Sequence, residues 1–114
     1  MAEFLYLYRS SQRWNPSAEE SEQIMQRWMA WFKDLTATGN LKDGGQPLEA
    51  HGKVVRDKGR TVTDGPFAEA KDVVGGYTIV EAPSLERAAE LAKGCPILAR
   101  DGFVEVRPIM KLDM

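Results

Sequence analysis

Asp64, Glu69, Lys71, Glu105 and Arg107 are the residues whose types and spacing suit acid–base or anion-binding chemistry. In the stretch Thr61-Val-Thr-Asp-Gly-Pro-Phe-Ala-Glu-Ala-Lys71 a β-branched run halts at Asp64-Gly65-Pro66 and gives way to closely spaced charges. Asp tolerates turn geometry, Gly supplies positive φ, and Pro fixes its own φ, so the motif reads as a strand ending in a shaped polar loop. In a partly dry cleft Asp64 would act as a general base or ligand anchor. As an Asx-turn residue it would instead accept amides of its own loop. Glu69 and Lys71, two apart, form either a ligand-facing pair or a solvated rim. Near the end of the chain, Val104 and Val106 alternate with Glu105 and Arg107, which sends the charges to the opposite face. Arg107 there would clamp a carboxylate or phosphate bidentately, or pair with neighbouring carboxylates, Asp64 included. Arg56 is open to the same two readings.

The elements that must position these groups follow from pattern and punctuation. Glu3 to Arg9 is a first strand with apolar residues on both faces. Ser17-Ala-Glu-Glu20 has the spacing of a capping box, and Ile24, Trp28, Trp31, Phe32 and Leu35 recur at helical period until Gly39-Asn40, predicting a helix to about Ala37. Leu41 to Gln46 is a short extended segment passing into loop, since Gly44-Gly45 and Pro47 interrupt it. Gly52 to Arg56 and Arg60 to Thr63 are joined by Asp57-Lys58-Gly59 as a hairpin. Val73 to Ala82 is a long strand in which Gly75-Gly76 marks a bulge or a close backbone approach. Pro83-Ser84 opens an alanine-faced helix that stops at Gly94, and Phe103 to Ile109 is the last strand. The order predicts a single α+β domain over residues 1–114, with a ferredoxin-like antiparallel sheet, both helices on one face, and an extra β-hairpin. Because both faces of the strands are apolar, a second subunit is expected to cover the open face as a two-fold homodimer. Tyr6 and Tyr8 are expected on that open face, as dimer contacts or pocket walls, and Trp14 as a pocket lid.

Composition narrows the class. The chain has 15 Lys and Arg against 17 Asp and Glu, a net charge of −2, so no positive field is available to hold a nucleic acid. A lone Cys95 excludes an intrachain disulfide and a cysteine-based zinc cluster, and fits a reducing cytoplasm. Cys95 reads as structural, with no activating cation nearby in sequence. The apolar run near the amino terminus is too short for a signal peptide, and no later run is long enough to span a bilayer. His51 is the only histidine and reads as a surface residue without the partners of a metal site. Trp28, Trp31 and Phe32 at helical spacing read as core, and no phosphate-binding glycine loop is present.

The run Val62-Thr-Asp-Gly-Pro-Phe-Ala-Glu-Ala-Lys71, the later Val74-Gly-Gly-Tyr77 and the terminal Val104-Glu-Val-Arg-Pro108 resemble the DGPF branch of the YCII-related family. The resemblance implies a dimeric α+β barrel of ferredoxin-like protomers, in a branch most of whose members have no established reaction. YCII-type relatives resemble muconolactone-isomerase-like proteins, in which a His-Asp dyad is proposed to act on small aromatic or lactone compounds. The first helix here contains no histidine, so the resemblance implies no dyad, and Asp64 matches the Asp of the DGPF motif alone. Two functions are therefore expected as alternatives. One is an unidentified small molecule bound in a dimer-associated cleft by Arg107, Glu69, Lys71, Tyr6 and Trp14, with isomerase- or lyase-like proton transfer at Asp64 and neither metal nor cofactor. The other is a non-catalytic regulatory or interaction module in which the motif is structural.

Overall fold

A computed structural model describes residues 1–11, 15–66 and 71–112. Among the described residues six strands and two α-helices follow one another as β1 (Ala2–Ser10), α1 (Ala18–Ala37), β2 (Leu41–Asp43), β3 (Gly52–Arg56), β4 (Thr61–Gly65), β5 (Val73–Ala82), α2 (Leu85–Ala92) and β6 (Phe103–Pro108). Strands β2-β5-β1-β6 form one antiparallel sheet in that order, and β3-β4 form a separate two-stranded one. With the β3–β4 hairpin set aside as an insertion, the remainder runs βαββαβ with the first strand beside the last, an α+β arrangement consistent with a ferredoxin-like fold.

Local chemistry accounts for the boundaries. Ser17 caps α1 through the full capping box: its hydroxyl accepts from the Glu20 amide, and the Glu20 carboxylate accepts from the Ser17 amide. Ser84 caps α2 by accepting from the Arg87 amide. The extra residue at Gly75 shifts the β1–β5 register between Tyr8 and Arg9. Gly76 lets the chain at Gln46 and Pro47 run hard against β5, where the Leu48 amide donates to the Gly75 carbonyl at 2.8 Å. Gly45 holds φ +73°, and a Cβ there would land on the Tyr77 carbonyl oxygen.

The core lies between the sheet and the two helices. Phe4, Tyr6 and Tyr8 of β1 point into it with Trp31, Leu35, Val80, Ala88 and Ala92, and Trp28 and Phe32 flank them. Tyr6 stacks on Trp31 at 5.9 Å, and its hydroxyl donates to the Ala88 carbonyl at 2.5 Å; Ala88, lacking a longer side chain, admits this approach. Tyr8 meets Trp28 edge-on at 4.7 Å and donates to the Thr78 hydroxyl at 2.6 Å, which in turn donates to the Gly44 carbonyl at 3.0 Å. This corrects the expectation for Tyr6 and Tyr8. Both lie on the helix-covered face, Tyr6 at 0 % exposure, and Leu5 and Leu7 face the open side instead. Large rings take the side where α1 and α2 bury more area, a choice the doubly apolar strand left undetermined.

A second correction concerns the motif. Strand β4 runs on through Asp64 and Gly65, because Asp64 pairs with Lys53 and Gly65 with Gly52 in the hairpin ladder. The ladder therefore runs two residues further than the turn propensity suggests, and Pro66 is the first residue beyond it. Asp57, Lys58 and Gly59 all take positive φ at the hairpin tip.

Candidate functional site

The side of the sheet away from the helices is built by alternation. From β1 come Glu3, Leu5, Leu7 and Arg9, and opposite them stand Glu81, Ile79, Tyr77 and Val74 of β5. On the other flank Arg107, Glu105 and Phe103 of β6 stand opposite Leu5, Leu7 and Arg9. Leu5, Leu7, Tyr77 and Ile79 thus form a half-buried apolar strip that no element among the described residues covers, with charges at both ends.

At one end Glu3 and Glu81 are directly opposite each other, and Lys42 of β2 is bonded to both, its ammonium held in the charged form chiefly by Glu3. At the other end Arg9 is the hub. Its Nε donates to Asp72 at 2.7 Å, its Nη1 to Glu105 at 3.0 Å, and its guanidinium lies 6.0 Å from the Phe103 ring centroid. The hydrogen bond to Asp72 is the main reason the Arg9 guanidinium is pushed further above its already high range. Glu105 is shared, since Arg107 Nε approaches its second oxygen at 4.0 Å. The Arg107 side chain is otherwise mostly exposed to solvent.

Beside the Arg9 end lies an open cleft of about 300 Å³ between the hairpin base and the start of β5. His51, Lys53, Val54, Pro66, Asp72 and Val74 are among the residues that line it. Asp72 alternates with Val73 and so shares the open face with Val74 and Arg9, which joins the cleft to the apolar strip.

The model of the YCII-related domain matches residues 4–113. The chain belongs to the YCII-related family. An uncharacterised protein of Rhizobium meliloti (strain 1021) is 30% identical over 97 residues, covering 82% of this chain and 78% of that one.

In this YCII-related protein the described residues among those singled out from sequence are not gathered at one point. Asp64 stands on the hairpin with its side chain 88% exposed, paired with Lys53 at 2.5 Å. Arg107 stands on β6 and pairs with Glu105, not with Asp64. Lys71 is exposed just before β5. Glu69 and Trp14 lie outside the described residues. His51 is on the surface as expected, 3.7 Å from Glu49, yet it borders the cleft. Arg9, Asp72 and Lys53 complete the site and were missed by the sequence reading. The only signal for Arg9 was its place at the end of an alternating strand, and nothing local marks a partner 63 residues away. Cys95 is buried, and that burial pushes its thiol up to about 12, the environment of an inert residue. Among the described residues no His/Cys/Asp/Glu cluster could hold a metal ion, and no helix is long and apolar enough to cross a membrane.

Proposed function

We propose that this protein acts as a homodimer in which a second copy covers the open sheet face, and that the covered cleft binds a small organic anion with an apolar body. The observation that carries the reading is the bare strip Leu5, Leu7, Tyr77 and Ile79, with Arg9 and Arg107 on the same face and the cleft beyond its Arg9 end. Apolar patches of this kind on soluble proteins mark interaction or ligand sites. Arg107 supplies the bidentate edge for the carboxylate, Lys53 and Lys71 a basic rim, and the strip the apolar wall. Within a covered site, Glu105 and Asp72 would be the carboxylates placed for isomerase- or lyase-like proton transfer, each bonded to Arg9. Asp64 on this reading serves the hairpin, its carboxylate pairing across the ladder with Lys53.

A non-catalytic interaction module is the second reading, favoured by the exposure of Asp64 and by the packing of Gly65, where a Cβ would come within 2.5 Å of Val54 Cγ2. The close packing of Gly65 gives the motif a structural part in the hairpin, to which the exposed Asp64 pair adds little. Melting curves with a panel of aromatic acids, lactones and amino-acid derivatives separate the two readings. Stabilisation by one class, lost in Arg107→Met and kept in Asp64→Asn, is expected; no response to any class, or a response indifferent to Arg107, defeats the binding reading.

A further inference from the structure

The β3–β4 hairpin is an arm. Its strands pack on each other and on the turn that joins them, and none of its residues is buried. Val55 and Val62 face each other across the ladder yet are 62% and 59% exposed. The radius of gyration is 15.8 Å, against about 13 Å for a compact chain of this length. A two-stranded ribbon is at best marginally stable in water when nothing covers it.

The arm's charge has a counterpart on the same molecule. Its distal end carries Arg56, Lys58 and Arg60 against Asp57, a surplus of positive charge. The open sheet face carries the opposite imbalance at its far end, where Glu3 and Glu81 stand directly opposite each other with Lys42 between them. Like charges in that cross-strand position repel, and one ammonium leaves the pair one cation short.

We propose that the arm of each subunit reaches across to a second copy, buries Val55 and Val62 there, and sets Lys58 and Arg60 against the partner's Glu3–Glu81 pair. The inference rests on the face-covered dimer described above and adds to it the element that fastens the subunits. Two-fold symmetry then makes the contact twice. Because the base of the arm also walls the ligand cleft through Lys53, Val54 and Pro66, each cleft acquires its fixed shape only when the partner holds the arm.

A charge exchange tests this directly. Dimer dissociation is measured by sedimentation equilibrium for wild type, Glu81→Lys, the pair Lys58→Glu/Arg60→Glu, and the three changes combined, with circular dichroism confirming that each variant is folded. Each partial variant should dissociate at least about tenfold more readily, and the combination should recover most of that loss, since the attraction is restored with its signs exchanged. Val55→Thr, which keeps a β-branched residue opposite Val62 in the arm, should also weaken the dimer. A wild-type dimer indifferent to the arm substitutions, or additive losses in the combination, overturns the arm contact alone. A monomeric wild type overturns the covered-face reading together with it.

Discussion

Tyr8→Phe removes one hydroxyl from the helix-covered face, and its effect depends on what that hydroxyl touches. Tyr8 donates to the fully buried Thr78, and Thr78 donates onward to the Gly44 carbonyl. Loss of the Tyr8 hydroxyl leaves Thr78 still donating and costs about 1 kcal/mol. Thr78→Val is worse, because it strands a buried Tyr8 donor as well as deleting the bond to Gly44, and costs about 2–3 kcal/mol. The double variant has no stranded donor, so it should cost only about 1–1.5 kcal/mol and be more stable than Thr78→Val alone. Burial raises the Tyr8 hydroxyl pKa strongly, in keeping with a core anchor. Urea unfolding of the four proteins reads the cycle, with melting shifts of roughly 3–6 °C per kcal/mol. Additive losses, or a Thr78→Val protein as stable as wild type, would refute the placement of Tyr8 in the core and return it to the open face.

Gly45→Ala should destabilise by at least about 2 kcal/mol and disturb the edge beside β5, since both the positive φ and the Tyr77 carbonyl oppose a Cβ; a melting curve unchanged from wild type would count against that close approach. Asp64→Asn should shift melting by no more than about 2 °C, as expected of an exposed pair, and a collapse of the fold would show that the motif carboxylate does more than pair with Lys53. Burial raises Tyr6 to about 12 from 10.0 and Cys95 to about 12 from 9.0, so the unfolded chain ionises first. Stability is then intact below about pH 9 and falls as pH rises towards 12; Cys95→Ala should delay the onset by about one pH unit, and urea midpoints between pH 8 and 11 that ignore the substitution would contradict it. The Cys95 thiol should resist thiol reagents in the native state and react once urea unfolds the chain; rapid native labelling would contradict its burial.

Much of the fold was legible because local signals agreed with the tertiary solution. The Ser17–Glu20 box, the stop at Gly39, the Gly75-Gly76 irregularity and the hairpin turn all appear where chain chemistry places them. Two misreadings share a cause in packing beyond sequence range. Strand β1 is apolar on both faces, so periodicity could not say which face meets Trp31 and Ala88, and Tyr6 and Tyr8 were assigned to the wrong one. Turn propensity at Asp64-Gly65 lost to ladder pairing with Lys53 and Gly52. For the site, the open-face position of Glu105 and Arg107 followed from alternation alone. The hub at Arg9 did not, because Asp72 and Glu105 lie 63 and 96 residues away and reach it only through strand order.

The proposed second copy over the strip Leu5, Leu7, Tyr77 and Ile79 is read directly from the mass in solution. Light scattering across a wide range of concentrations should give twice the 12.7 kDa of one chain for wild type, and one chain for folded Leu7→Glu. A wild-type monomer, or a Leu7→Glu dimer as stable as the wild type, would show that no second copy covers the strip.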